Sequence, residues 1–98
     1  MPLTKRLYRV ADLDGPTLDA VVASIVGSTP SWGFRPSSEW RSAGGLIERE
    51  RIALYPNETG GWTAFPEAEP ACVGYGATPL LAAMRAFITF KNGPEIEL

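Results

Sequence analysis

The spacing of apolar residues predicts two amphipathic helices, one in each half of the chain. In the first, over about 16–26, apolar positions recur at intervals of three and four residues, which is the spacing of one helical face. Pro16 lies in its first turn, where a missing N–H is tolerated, and Gly27 is a typical left-handed stop residue. The second helix, over about 79–91, follows the capping residue Thr78 and shows the same spacing.

Three short strands are predicted between the helices, over about 47–55, 62–65 and 71–75. Ile52 and Leu54 alternate as expected for one face of a strand. Glu48 and Glu50 would fall on that same face, where burial would carry a large desolvation cost. We therefore expect a bend, bulge or turn near 48–51.

The segment 27–45 shows neither a helical nor a strand period, and it is predicted as a loop. Structureless loops of this length are uncommon in compact domains and are usually functional or disordered. Trp32, Phe34 and Trp40 argue against disorder, because large aromatic side chains gain much from burial. We expect a long loop that its aromatic residues pin to the body of the protein.

The order helix, loop, three strands, helix predicts the α+β class. Each helix carries one apolar stripe, and a small antiparallel sheet offers a face that both can cover. The expected architecture is a two-layer domain with two helices packed on a three-stranded sheet in the order α-β-β-β-α. No internal repeat or linker divides the chain, so residues 1–98 are predicted to form a single domain.

Composition removes several kinds of chemistry. The 98 residues include no histidine and a single cysteine, which excludes Ser-His-Asp and Cys-His catalysis, His-ligated metals and an internal disulfide. The formal net charge of -2 is unfavourable for a nucleic-acid binder. No apolar run is long enough to span a membrane. We expect a protein that is not an enzyme and that needs no cofactor and no metal.

Two adjacent segments hold the candidate functional residues, which are aromatic or charged: Trp32, Phe34, Arg35, Trp40, Glu48 and Arg49. The aromatic and cationic side chains of the loop could form a binding patch for stacked bases or for a peptide. They could equally fasten the loop to the core. The charged stretch 48–51 alternates in sign, which fits either a solvated surface with weak ion pairs or a site of paired carboxylates.

Three motifs in register resemble the NinX-like family of small phage and prophage proteins. They begin at Leu13, Pro36 and Gly76 and extend through 13–23, 36–50 and 76–85. The resemblance implies a phage or prophage origin and the cytoplasm of a bacterial host. It implies no activity and no catalytic residue. A weaker, local resemblance over 61–91 is to HicB-like antitoxin domains, which pair a small sheet with a helix and bind a toxin protein.

The expected function is that of a small non-enzymatic phage accessory protein that binds a protein partner. One alternative is nucleic-acid binding through cationic residues near the loop, namely Arg35, Arg41, Arg49 and Arg51. Another is a histidine-free enzyme that uses Glu48 or Glu50. A homodimer formed through an edge strand near 71–75 or 95–98 is a further alternative.

Overall fold

The structure is a computed structural model, and it describes residues 6–27 and 33–98. Three helices lie in these ranges: α1 (Gly15–Val26), α2 (Trp40–Arg49) and α3 (Pro79–Asn92). Five strands accompany them: β1 (Leu7–Arg9), β2 (Ile52–Pro56), β3 (Trp62–Pro66), β4 (Gly74–Gly76) and β5 (Glu95–Glu97). A single 3-10 turn, Val10–Asp12, joins β1 to the segment before α1.

The central sheet is antiparallel in the order β2-β3-β4. Leu54 pairs with Ala64, which pairs in turn with Gly74, so these three residues share one face of the sheet. Helix α3 packs across that face and contacts all three strands. Because side chains alternate along a strand, the neighbours of these residues point to the opposite face. The α+β class and the two-layer arrangement are therefore confirmed.

Small residues allow α3 to approach the sheet closely. A Cβ atom added at Gly74 would overlap the backbone of Ala82 and Ala86, and one added at Gly76 would lie 2.8 Å from the Ala82 nitrogen. The buried side chains of α3, Met84 among them, fill the space on either side of this contact. Helix α1 lies against α3 and adds its own apolar stripe to the core: Leu18, Val21, Val22 and Ala23.

Local signals in the sequence explain where α1 and α3 begin and end. The Thr78 hydroxyl accepts a hydrogen bond from the Leu81 N–H at 3.2 Å, which caps α3. Helix α1 ends at Gly27, whose φ of 79° is left-handed. Asp14 precedes α1 in extended backbone but makes no capping hydrogen bond with its side chain.

A second, two-stranded sheet joins the two ends of the described chain. Strand β1 pairs antiparallel with β5, and Tyr8 lies opposite Ile96. The sequence indicates a candidate dimerisation edge near 95–98 and predicts no strand before α1. Because β5 pairs with β1 of the same chain, one edge of β5 is already hydrogen-bonded.

The structure corrects three predicted boundaries. The strand expected over 71–75 comprises only Gly74–Gly76. The segment 27–45 is not a continuous loop, because helix α2 begins at Trp40. The strand expected over 47–55 begins only at Ile52, since residues up to Arg49 belong to α2. The helix ends in a turn at Glu50 and Arg51, where Arg51 adopts a φ of 52°. Burial of Ala43 and Leu46 against the core stabilises α2 despite two neighbouring glycines.

One arginine connects three parts of the fold. The Arg85 side chain on α3 donates from Nε to the Leu13 carbonyl oxygen at 3.0 Å and from a terminal nitrogen to the Tyr75 carbonyl oxygen at 2.7 Å. Leu13 lies in the segment before α1 and Tyr75 lies in β4. The guanidinium therefore holds the edge of the central sheet and the entry to α1 at fixed positions on α3.

Candidate functional site

The predicted loop residues separate into different environments. Trp32 lies outside the described residues. Phe34 is partly buried and packs against the core, as the fastening interpretation expects. Arg35 is exposed, and its backbone N–H donates to the Ser42 hydroxyl at 3.1 Å. Trp40 opens α2 and is 54% exposed, so it is available for contact with a partner.

A carboxylate on α1 holds the segment that precedes α2. The Asp19 side chain accepts a hydrogen bond from the Ser37 N–H at 2.8 Å, and Pro36 next to it is buried. The backbone N–H of Glu39 then donates to the Arg35 carbonyl oxygen at 2.8 Å. These contacts fix the chain where it enters α2 and so fix the position of Trp40.

The charged stretch after the predicted loop divides between two surfaces. Glu50 is 12% exposed and forms ion pairs with Lys91 at 2.9 Å and with Arg49 at 3.1 Å. The hydrogen bond from Lys91 lowers the pKa of Glu50, and this effect exceeds the opposing effect of burial. Glu48 faces elsewhere and is exposed. The two glutamates therefore do not form a pair of carboxylates with a shared environment.

A groove of about 630 Å³ lies between the end of α2 and the uncovered face of the central sheet. Ile47 and Glu48 line it from the helix, and Tyr55 and Phe65 line it from the sheet. The Tyr55 and Phe65 rings are stacked, with centroids 5.5 Å apart and planes 15° from parallel. This stack gives the groove a flat aromatic floor.

The aromatic floor continues across the sheet. Tyr55 lies opposite Thr63, which lies opposite Tyr75, so one row on the uncovered face carries two tyrosines. Tyr55 is 54% exposed and Tyr75 is 62% exposed. The Thr63 hydroxyl donates to the Asn57 side-chain oxygen at 2.6 Å, which leaves the surface between the tyrosines free of an unsatisfied hydroxyl.

Helix α2 extends this surface toward the predicted loop. Trp40, Gly44 and Ile47 are spaced by four and three residues and so share one face of the helix. Since Ile47 lines the groove, Trp40 lies farther along the same face. We call the resulting surface the aromatic strip; it consists of Trp40, Ile47, Tyr55, Phe65 and Tyr75.

Carboxylates dominate the border of the groove. Arg51 forms an ion pair with Glu67, which cancels one cation against one anion. The same interaction raises the pKa of Arg51 above its ordinary value. Glu48 has no ion pair within the described ranges, and neither does Glu69, which precedes the groove-lining Pro70. The groove therefore combines an aromatic floor with excess negative charge.

The three aromatic residues of the sheet are not among the candidates that the sequence predicts. Tyr55 and Phe65 alternate with the partly buried Leu54 and the buried Ala64, so strand alternation alone would place them on the outer face. That signal becomes meaningful only when the outer face is known to be uncovered. Trp40 and Glu48, in contrast, are candidates from the sequence; Glu48 lines the groove, and Trp40 shares a face of α2 with the groove-lining Ile47.

Other kinds of site find little support in the described part of the chain. No group of three or more cysteine or acidic residues there is arranged to hold a metal ion. None of the helices within residues 6–27 and 33–98 has the length and apolar character needed to cross a bilayer.

The fold and this surface define a small α+β protein with an exposed aromatic strip beside an acidic groove. Comparison with family models matches residues 26–91 to the family described as Bacteriophage P22, NinX. The match covers about two thirds of the chain and includes the second and third of the three motifs. The chain belongs to this family of bacteriophage proteins, as its sequence motifs suggested. No curated protein matches the chain.

Proposed function

We propose that this bacteriophage protein is a non-enzymatic accessory protein that binds a protein partner through the aromatic strip. The observation that carries the proposal is the exposure of Tyr55 and Tyr75 on a sheet face that no described element covers. Aromatic side chains bury large areas with little loss of conformational freedom, and they are enriched among residues that dominate protein–protein binding.

The groove favours a partner segment that carries Lys or Arg. A cation above the Tyr55 ring would gain from the negative face of the aromatic system. The carboxylate of Glu48, which lines the same groove, would neutralise that cation at close range. The partner is therefore expected to present a basic side chain between apolar residues that cover Ile47 and Phe65.

Charge supports a protein partner over nucleic acid. Three of the arginines considered for phosphate contact are ion-paired with carboxylates: Arg41 with Glu39, Arg49 with Glu50 and Arg51 with Glu67. Counterion release is the main source of a protein's affinity for nucleic acid, and arginines already paired with carboxylates release few counterions. The net charge of -2 acts in the same direction.

The state of Glu50 supports a binding role over catalysis. A general base works best with a pKa near the operating pH. The pKa of Glu50 is instead lowered by Lys91 and Arg49, which hold the carboxylate in its ionised form. We further propose that the protein meets its partner in the cytoplasm of the bacterial host, where the genes of a bacteriophage are expressed.

The proposal can be tested by affinity capture from cells in which the phage is active, followed by mass spectrometry. Wild-type protein, Tyr55→Ala and Trp40→Ala would be compared with the matched control Tyr8→Ala, since Tyr8 is 40% exposed on the other sheet. A specific partner should be captured by the wild type and the control and lost from the two strip variants.

A second step tests the chemistry of the groove with the purified partner. Glu48→Gln should weaken binding at least several-fold, and added salt should weaken wild-type binding more than it weakens binding of that variant. Identical capture by wild type, Tyr55→Ala and Trp40→Ala would reject the strip as the binding surface. Tight binding of oligonucleotides at low salt would favour the nucleic-acid alternative.

A further inference from the structure

Strand β2 forms an open edge of the central sheet. Two hydrogen bonds fix which of its residues face β3: the Asn57 N–H donates to Gly61 and the Glu67 N–H donates to Arg51, both at 3.0 Å. Backbone groups alternate in direction along a strand, so those of Leu54 point away from β3. Within the described residues, the Leu54 N–H and carbonyl have no hydrogen-bond partner.

The opposite edge of the same sheet is closed. By the same alternation, the Tyr75 carbonyl points outward from β4, and there it accepts the hydrogen bond from Arg85 at 2.7 Å. An incoming strand would have to displace this guanidinium. The sequence indicates a candidate dimerisation edge at 71–75, whereas the structure places the available backbone groups on β2.

We propose that β2 pairs edge to edge with β2 of a second copy of this chain, antiparallel and about a two-fold axis at Leu54. In this register Leu54 lies opposite Leu54 of the partner subunit, and the two residues exchange both backbone hydrogen bonds. Ile52 lies opposite Pro56 of the partner subunit. Pro56 has no N–H, but its carbonyl can accept from the Ile52 N–H, so the proline is compatible with this register.

Two properties of the sheet favour a second copy as the occupant. Residues 52–56 carry no charge, so the antiparallel pairing brings no like charges into opposition. The sheet also has one open edge and one edge closed by Arg85. A contact that uses the same edge on both subunits closes at two copies and cannot propagate into a fibre.

The pairing would join the uncovered faces of the two subunits. Ala53 would lie opposite Tyr55 of the partner subunit, because the neighbours of Leu54 and Ile52 alternate to the outer face. Two aromatic strips would then lie on one six-stranded surface. The inference does not depend on the proposed function, since it rests on backbone groups and not on the groove.

The experiment is sedimentation equilibrium of the full chain from micromolar to millimolar concentration. The wild type should dimerise, and Leu54→Pro, which removes the outward N–H, should raise the dissociation constant at least tenfold. Circular dichroism establishes whether the variant is folded. Absence of a wild-type dimer at millimolar concentration would overturn the proposal.

A cross-linking measurement tests the register independently of the proline variant. Leu54→Cys in a Cys72→Ser background should form an intermolecular disulfide under mild oxidation, because opposing Cα atoms in a hydrogen-bonded antiparallel pair lie about 5.5 Å apart. Thr63→Cys in the same background, on the central strand, should not. A dimer that neither cross-links at position 54 nor responds to Leu54→Pro would use another surface and would reject this one. Pairing of β2 with a segment of another protein, detected as new protection of the Leu54 amide only when that protein is added, would also reject it.

Discussion

The Arg85 guanidinium lies 2.7 Å from the Tyr75 carbonyl oxygen and so ties the main helix to the outer strand of the sheet. A second hydrogen bond from the same side chain reaches Leu13, at the entry to α1. Arginine suits this position because its planar group can donate in two directions at once. The contact both stabilises the fold and closes one edge of the sheet.

Arg85→Ala should lower the free energy of unfolding by about 1–3 kcal/mol, because two carbonyl groups lose a charged donor. Arg85→Lys should recover only part of that loss, since an ammonium group lacks the second arm. Urea unfolding measures the free energy of unfolding of both variants. Arg41→Ala, at an exposed position, should change stability by less than about 0.5 kcal/mol. Equal effects at positions 85 and 41 would contradict this role.

Gly74→Ala should destabilise the protein by about 1–3 kcal/mol or more, because the added methyl group overlaps the backbone of Ala82 and Ala86 and forces α3 away from the sheet. Gly45→Ala is the matched control. Nothing lies within 4 Å of a Cβ at that helical position, so the substitution should stabilise α2 by about 0.5–1 kcal/mol. Thermal unfolding of the two variants should shift in opposite directions. A stable Gly74→Ala protein would show that α3 can move without cost.

Asp19→Ala should cost about 1.5–3 kcal/mol of stability, since the Ser37 N–H loses a charged acceptor. The loss should also release the segment before α2 and make it more susceptible to proteolysis. Asp14→Ala removes a comparable carboxylate that makes no side-chain capping bond, and it should have a much smaller effect. Urea unfolding and limited proteolysis compare the two variants. Equal behaviour of Asp19→Ala and Asp14→Ala would contradict a stabilising role for the Asp19–Ser37 hydrogen bond.

The pH dependence of stability should include a contribution from Glu50. Its pKa in the folded protein lies below the ordinary value of 4.5, chiefly because of the hydrogen bond from Lys91. A depressed pKa stabilises the folded state above the unfolded pKa, and that stabilisation is lost as the pH falls through the folded pKa. The stability difference between wild type and Glu50→Gln should therefore be constant at neutral pH and shrink below about pH 4.5.

Glu58→Gln is the control for this measurement, because Glu58 is exposed and has no ion pair in the part of the chain that the structure describes. Its stability difference from wild type should change little across the same interval. The Glu50 contribution itself should amount to about 1 kcal/mol, since Lys91 is partly exposed and solvent screens the pair. A difference for Glu50→Gln that does not vary with pH would contradict the lowered pKa.

Helix α2 shows why local sequence signals were insufficient at one place. Ala43 and Leu46 are spaced for one helical face, but Gly44 and Gly45 between them lower helix propensity by about 1 kcal/mol each. A pattern this short and weak is equally consistent with a loop. Burial of Ala43 and Leu46 against the core decides in favour of the helix, and the sequence does not reveal that the core is available there.

Some residues of the candidate site could likewise be predicted from the sequence, and others could not. Trp40 and Glu48 stood out in the sequence by residue type and proximity; Glu48 lines the groove, and Trp40 is exposed on the face of α2 that carries Ile47. Tyr55, Phe65 and Tyr75 did not, because each sits in a strand where an aromatic residue is ordinary. Their exposure follows from the placement of α3 on the other face, which is a property of the whole domain.

The sequence by itself determined α1 and α3, the α+β class and membership of the bacteriophage NinX family, because apolar periodicity, capping residues and motifs are local signals. Tertiary structure decided that α2 is helical, that the outer face of the sheet is uncovered and that Arg85 closes one edge while β2 stays open. Each of these depends on contacts between residues distant in the chain. Such contacts supply the burial and hydrogen bonds that outweigh weak local preferences.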